Sequence, residues 1–486
     1  MERVEPAETR WRGVADTGFG AELRGTLTLA APLAAANLAQ MAMSVTNTVM
    51  VGRLGAVPLA AAGLGGMLYF TGGVVLQGVL FAVAPLTAHA LGSGERREAG
   101  RIGGAGLVLA ALFAVPFVIL LTTSDRLFRG LGYDPALADG IGRYMRALAW
   151  GAPAFLGFGV LRSLLAALSH PRIVMVVLFA CLLGNAVLNW MLIFGRLGAP
   201  ALGMAGSGYA SAVNQWLMLG GLALCTRMLP GVAGLHLLRG VAAAGRAELG
   251  AILRLGLPMG ALRGVETGVF LATGMLMGLL GAAALGAHQL VLNCVGISFM
   301  VPLALGQAAT VRVAYELGAG RAAGAHRAGF VALALGVAFM TASALVLSGF
   351  PRAIIGVYID VADPANRETV AIARQLIAIA ALFQVFDGMQ AIAAGALRGY
   401  RDTLVPMLLA FLGYWGAGFA GGWLFAFPLG YGAVGLWWGL ALGLAVVALL
   451  LTLRLYLLAP PAARRRWTPQ GRAGDPAPMQ RRQSRR

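Results

Sequence analysis

Glu266 and Asp387 stand in long apolar stretches, where an acidic side chain needs a partner or a purpose. At the centre of a bilayer a carboxylate costs about 2.5–3.5 kcal/mol on insertion scales. An acid in such a place, its charge cancelled and restored by a cation, suits reversible binding of Na⁺ or H⁺. Both residues are therefore candidate cation-coupling groups. Arg263 lies three residues before Glu266 on the same helical face and offers a salt bridge as the competing explanation. Uncharged polar residues fall in other apolar stretches: Asn37, Gln40 and Asn47, then Asn185 and Asn189. They either line a path for a solute or bond neighbouring helices. Gln40, Asn47, Asn185 and Asn189, with Phe158 and Phe383, are the candidate path residues. Soluble-enzyme motifs are absent. There is no GxxxxGK[ST] phosphate loop, and the histidines and cysteines lack ligand spacing. No catalytic residue, no cofactor and no metal site is expected, beyond a transient Na⁺ at Asp387 and Glu266.

Apolar helices must position these residues. Of the 486 residues 59% are hydrophobic and 12% charged, whereas soluble domains carry about 25% charged residues. Candidate spans run over 27–51, 59–89, 102–122, 144–168, 173–194 and 204–225, then over 257–280, 287–311, 329–347, 372–397, 404–425 and 434–453. Each approaches or exceeds the ~20 residues that cross hydrocarbon. Glu266 lies about 14 Å and Asp387 about 15 Å along a helix from the nearer cytoplasmic span end, a similar depth near the midplane. The formal charge of +18 comes from Arg concentrated in both tails and in the connections after even-numbered spans, which predicts two cytoplasmic tails. The tail with Arg464, Arg465, Arg466, Arg481, Arg482, Arg485 and Arg486 reads as a topology anchor at anionic lipid, with no nucleic-acid partner. The segment ahead of Arg24 carries Glu2, Glu5, Glu8 and Asp16 without an apolar core, unlike a signal peptide.

Aligned with itself at an offset of 226, the chain pairs Leu27 with Leu253, Pro32 with Pro258, Gly52 with Gly278, Gly55 with Gly281, Gly92 with Gly318 and Gly94 with Gly320. Farther on, an offset of 229 pairs Gly159 with Gly388, Ala167 with Ala396, Leu168 with Leu397 and Arg172 with Arg401. These matches predict an all-α integral membrane protein of about twelve transmembrane helices in two parallel six-helix lobes with pseudo-two-fold symmetry. The expected organisation is a cytoplasmic tail at 1–24, an N-lobe at 25–226, a cytoplasmic linker at 227–252, a C-lobe at 253–457 and an Arg-rich tail at 458–486. Parallel halves of this kind place a solute path between them. In this register Glu266 aligns with Gln40 and Asp387 with Phe158, so the first half has no equivalent acids.

Several stretches resemble the multidrug and toxic compound extrusion (MATE) family and its NorM-like branch. They are TNTVMVGRLG, LNWMLIFGRLGAPALGMAGSGYA, LGLPMGALRGVE, ALGAHQLVLN and, most specific, FDGMQAIAAGALRGYRDT. The resemblance covers roughly residues 25–457 and implies secondary active efflux of small, often cationic, organic compounds in exchange for Na⁺ or H⁺. It also implies that Glu266 and Asp387 match family acids that couple cations. Two positions depart from the pattern: Asn47 stands where the family often has Asp, and Arg263 where an apolar residue is usual. A monomer among lipids in a bacterial cytoplasmic membrane is the expected setting. Competing readings are a flippase for lipid-linked precursors, which would favour a positively charged cavity, and a membrane-embedded transferase, which would need clustered acids for Mg²⁺.

Overall fold

The computed structural model describes residues 19–229, 234–235 and 237–458. Most of the N-terminal tail, part of the linker and the Arg-rich tail from 459 onward lie outside these residues. Each predicted span falls on one helix or on a run of consecutive helices. In the first half these are α1 Phe19–Gly52, α2 Ala56–Leu80, α3 Val83–Gly92, α4 Arg96–Thr122, α5 Ser124–Gly130, α6 Pro135–Ala149, α7 Ala152–Ala167, α8 Pro171–Phe194 and α9 Met204–Met228. The short α10, Leu237–Ala242, belongs to the linker and packs on α4. The second half holds α11 Arg246–Leu279, α12 Ala282–Gly318, α13 Ala322–Gly349, α14 Pro351–Gly356, α15 Arg367–Gly399, α16 Leu404–Phe411, α17 Ala420–Ala426 and α18 Gly432–Leu457. A π-helical stretch, Leu412–Phe419, joins α16 to α17.

Among the described residues nine helices are long and apolar enough to cross a membrane, and the pair α6 and α7, bent by 48°, makes a tenth. The other two long helices, α9 and α11, carry polar residues such as Asn214, Gln215, Arg263 and Glu266. Pro153 sits in the first turn of α7, just past the bend, where its missing N–H leaves no intrahelical bond unmade.

The repeat is visible in the backbone. Gly55 and its repeat partner Gly281 precede α2 and α12 with φ of 112° and 116°. The next connections turn at Gly94 and Gly320, with φ of 83° and 73°. Asp134 and Asp363, at an offset of 229, each precede a proline and accept backbone N–H bonds at the start of the fourth element of their half. The expected register of 229 does not hold to the end of that element. The left-handed residues that follow α7 and α15 are Ser169 and Arg401, an offset of 232. Gly103 and Gly329, still in the first register, face Leu164 and Ala396, again at 232. Thus Arg172 is not the counterpart of Arg401, nor Leu168 of Leu397, and Asp387 is paired with Phe155 instead of Phe158. The extra residues are absorbed where α15 runs straight and α6–α7 is broken, because a helix interruption tolerates a length difference that a packed helix does not.

Two hydrophobic cores largely follow the two halves, and α1 and α11 exchange residues between them reciprocally. Leu29 and Leu33 of α1 join the second core, while Leu255 and Met259 of α11 join the first. The repeat pairs Leu29 with Leu255 and Leu33 with Met259. The opening turns of α1 and α11 therefore cross into the opposite lobe.

Candidate functional site

Asp387 and Glu266 meet in the second lobe, on α15 and α11. Gln390 lies one turn beyond Asp387, and its Nε2 donates to Asp387 Oδ1 and to Glu266 Oε1, both at 3.2 Å. The second oxygen of Glu266, Oε2, accepts from Arg263 Nη1 at 2.8 Å. Asp387 is 5% exposed and Gln390 3%. The same crevice is lined by Arg398, whose Nε donates to the Ala394 carbonyl, and by Gly78 and Phe81 from the first lobe. Its free volume is about 10 Å³, about the room one water centre needs. Glu266 thus shares the crevice at the lobe boundary with Arg263 and Arg398, and one amide joins it to Asp387 behind.

The π-helical stretch presses on this cluster from the side. Trp415 Nε1 donates to the Val265 carbonyl at 3.3 Å, next to Glu266. Tyr414 is buried, and its hydroxyl makes no hydrogen bond. Gln384, one turn before Asp387, accepts from Ser298 at 3.1 Å and Ser343 at 3.3 Å and leaves its own amide nitrogen unbonded. Gln390, Arg398, Tyr414 and Gln384 were not picked out from the sequence. The i+3 spacing of Gln390 from Asp387 was the one available signal.

The predicted path residues separate into three groups, most of them in the first lobe. Asn47, Asn185 and Asn189 form a neutral network: Asn189 Nδ2 donates to Asn47 Oδ1 at 2.9 Å and to the Asn185 carbonyl at 2.8 Å, and Asn47 Nδ2 donates to Ser211 Oγ at 3.1 Å. The side-chain oxygens of Asn185 and Asn189 are buried without hydrogen bonds. Gln40 belongs elsewhere, accepting at 2.7 Å from Arg162, which also bonds Asn37 and, across the lobe boundary, Gln307 at 3.3 Å. Arg162, 7% exposed, is a further buried guanidinium within the bundle. The repeat pairs Asn37 with Arg263 and Gln40 with Glu266, so neutral amides in one lobe stand where a charged pair stands in the other. Phe158 and Phe383 sit inside the lobe cores, 1% and 0% exposed, and Phe383 packs edge-on against Trp437. Neither faces an open path. Among the described residues no group of three or more His, Cys, Asp or Glu is arranged to hold a metal ion.

The MatE family model matches the chain twice, over residues 32–191 and 258–424. The two matches begin at Pro32 and Pro258, which the internal repeat pairs. A multidrug resistance protein NorM of Burkholderia vietnamiensis is 47% identical over 433 residues, covering 89% of this chain and 93% of that protein. A probable NorM of Mesorhizobium japonicum is 43% identical over 447 residues, covering 91% and 96%. Among solved structures, a eukaryotic MATE transporter superposes with a TM-score of 0.80 at 23% identity, covering 93% of this chain and 100% of the other. A MOP superfamily transporter from Pyrococcus furiosus gives 0.80 at 17%, covering 90% and 96%. Two family-model matches spaced like the internal repeat, together with relatives of this identity over nearly the full length, mean that the chain belongs to the MatE family of multidrug efflux transporters.

Proposed function

We propose that this transporter is an antiporter in which Asp387 carries the coupling ion, a proton, while Arg263 serves as a tethered cation at Glu266. The observation that carries the reading is the Gln390 bridge. Both oxygens of Glu266 already hold donors, so Asp387 is the acid left to exchange its charge. With both acids ionised, their two negative charges balance Arg263 and Arg398. Adding either a proton or a cationic substrate leaves one surplus positive charge in a buried space, and adding both leaves two. Proton and substrate therefore exclude one another, as exchange requires, and each shifts the conformational equilibrium only through its differential affinity for the two states. The moving bodies are the halves 25–226 and 253–457, which rock about the boundary at which the crevice lies. The substrates are small, often cationic, organic molecules, and the chain performs no catalysis of its own. It works as a monomer in a bacterial cytoplasmic membrane with both ends cytoplasmic.

The test is efflux driven by an imposed gradient in proteoliposomes. Asp387→Asn keeps size and hydrogen bonding but removes the titrating charge, and pH-driven exchange is expected to fall at least about tenfold while substrate binding persists. Wild-type rates in that variant, or efflux driven by a Na⁺ gradient alone in the native chain, would overturn the assignment.

A further inference from the structure

The lobes meet most closely at the end of the bundle where α1 begins. A Cβ built on Gly92, the last residue of α3, would lie 2.2 Å from the Tyr315 carbonyl oxygen of α12. A Cβ on Gly318, the last residue of α12, would lie 2.1 Å from the His89 carbonyl oxygen of α3. The repeat pairs Gly92 with Gly318 and His89 with Tyr315. Each glycine thus rests on the carbonyl three residues before the other, a reciprocal contact across the pseudo-two-fold axis. Only glycine allows backbones this near.

A second contact closes the same end. Arg312 of α12 donates through Nε to Glu22 Oε1 at 3.0 Å and through Nη2 to Glu22 Oε2, joining the start of α1 to the other lobe. Both side chains are at most 2% exposed. Farther along, Gly78 of α2 packs on the backbone of Gly260 in α11. Toward the opposite end a Cβ at Gly63, Gly66 or Gly278 would meet nothing within 4 Å.

We infer that Gly92, Gly318 and the Glu22–Arg312 pair are the gate that shuts the substrate path to the cytoplasm, and that all must part for substrate to enter. The inference rests on the transport reading above but not on Asp387. The physical logic is a balance between two states. Burying an ion pair costs hydration about as much as it gains in attraction, so a matched pair leaves the shut and open states close in free energy. Neutralising Glu22 weakens two charge-assisted bonds of the shut state, which favours opening. An alanine at either glycine collides with backbone in the shut state, whereas in the open state it suits a helix better than glycine does.

The experiment measures distances between spin labels on cysteines at Ser93 and Ala319, which flank the glycine contact, with Cys181, Cys225 and Cys294 replaced. The otherwise native chain should show a dominant short distance. Gly92→Ala and Gly318→Ala should each raise the ratio of long to short distances by more than about tenfold, the size expected for a backbone collision, and Glu22→Gln, which removes the charge that holds both Arg312 bonds, should shift it in the same direction. Gly66→Ala should not, and exchanging the pair as Glu22→Arg with Arg312→Glu should keep the short distance. Because an alanine variant can fail to fold, the Ser93→Cys, Ala319→Cys chain is also cross-linked through its thiols. Transport should stop and return when the link is cleaved. Unshifted distances in all folded variants, or continued transport in the linked chain, would overturn the gate. Asp387→Asn changes ion coupling and leaves these distances able to respond, so the two proposals fail separately.

Discussion

Glu266 shows how a sequence can identify a charged residue without revealing what the charge does. Its neighbour Arg263 was visible at i−3, and the 2.8 Å bond between them confirms the salt bridge. The link to Asp387 runs through Gln390 and is a tertiary fact, since Glu266 and Asp387 lie on helices far apart in the chain. Two variants separate the parts. Arg263→Leu frees one oxygen of Glu266 and leaves a charge without its partner. Stability should fall by about 1–3 kcal/mol, read as a lower melting temperature, and under the proposed proton coupling efflux should become more responsive to Na⁺ than in the native chain. Gln390→Leu keeps volume but removes both bridging bonds. Substrate should still bind, measured by equilibrium fluorescence or calorimetry, while gradient-driven exchange drops at least about tenfold. Unchanged exchange in Gln390→Leu would mean that the two acids act independently.

At the scale of elements, the helices follow from composition and the interruptions from packing. The π-helical stretch carries Gly413, Gly416 and Gly418, and two of these approach α18 through Gly443 and Val447. No periodicity distinguishes such a widened turn from an ordinary helix, because the extra residue per turn costs little where glycines let the neighbour come near. A steric test uses Gly439, where a Cβ would lie 2.2 Å from Gly422 Cα. Gly439→Leu should lower stability by about 1–3 kcal/mol or more, and thermal unfolding in detergent would show it. A finer test is Trp415→Phe, which removes the bond to the Val265 carbonyl and keeps most of the ring. Its expected cost is about 0.5–1.5 kcal/mol. A shift in the pH profile of efflux would add that this helix positions Glu266.

For the whole molecule, orientation in the membrane rests on Arg. Arg96 and Arg97 open α4 just after the exposed Ser93, whereas Pro135 opens α6 at the other end. In intact cells a cysteine at Pro135 should react with an impermeant thiol reagent and one at Ser93 should not. A probe at Ala463 would address the Arg-rich tail, outside the described residues. Reversed labelling of the first two positions would turn the molecule over and with it the gate, whose residues share the end of the bundle with Ser93.

The sequence by itself determined the twelve helical passages, the approximate two-fold repeat and the two acids of the candidate site. Each of these is a one-dimensional signal: the length of an apolar run, a match at constant spacing, or a charge where solvent is absent. Only the tertiary structure decided that Gln390 joins the acids, that Arg162 is buried and reaches Gln307, that Phe158 and Phe383 belong to the lobe cores, and that the repeat slips from 229 to 232 within its fourth span. The reason is common to all four. An amphipathic pattern records which residues leave water, but in a chain surrounded by lipid nearly every face is apolar. Which face meets a partner helix is then set by close packing and hydrogen-bond geometry between segments distant in sequence.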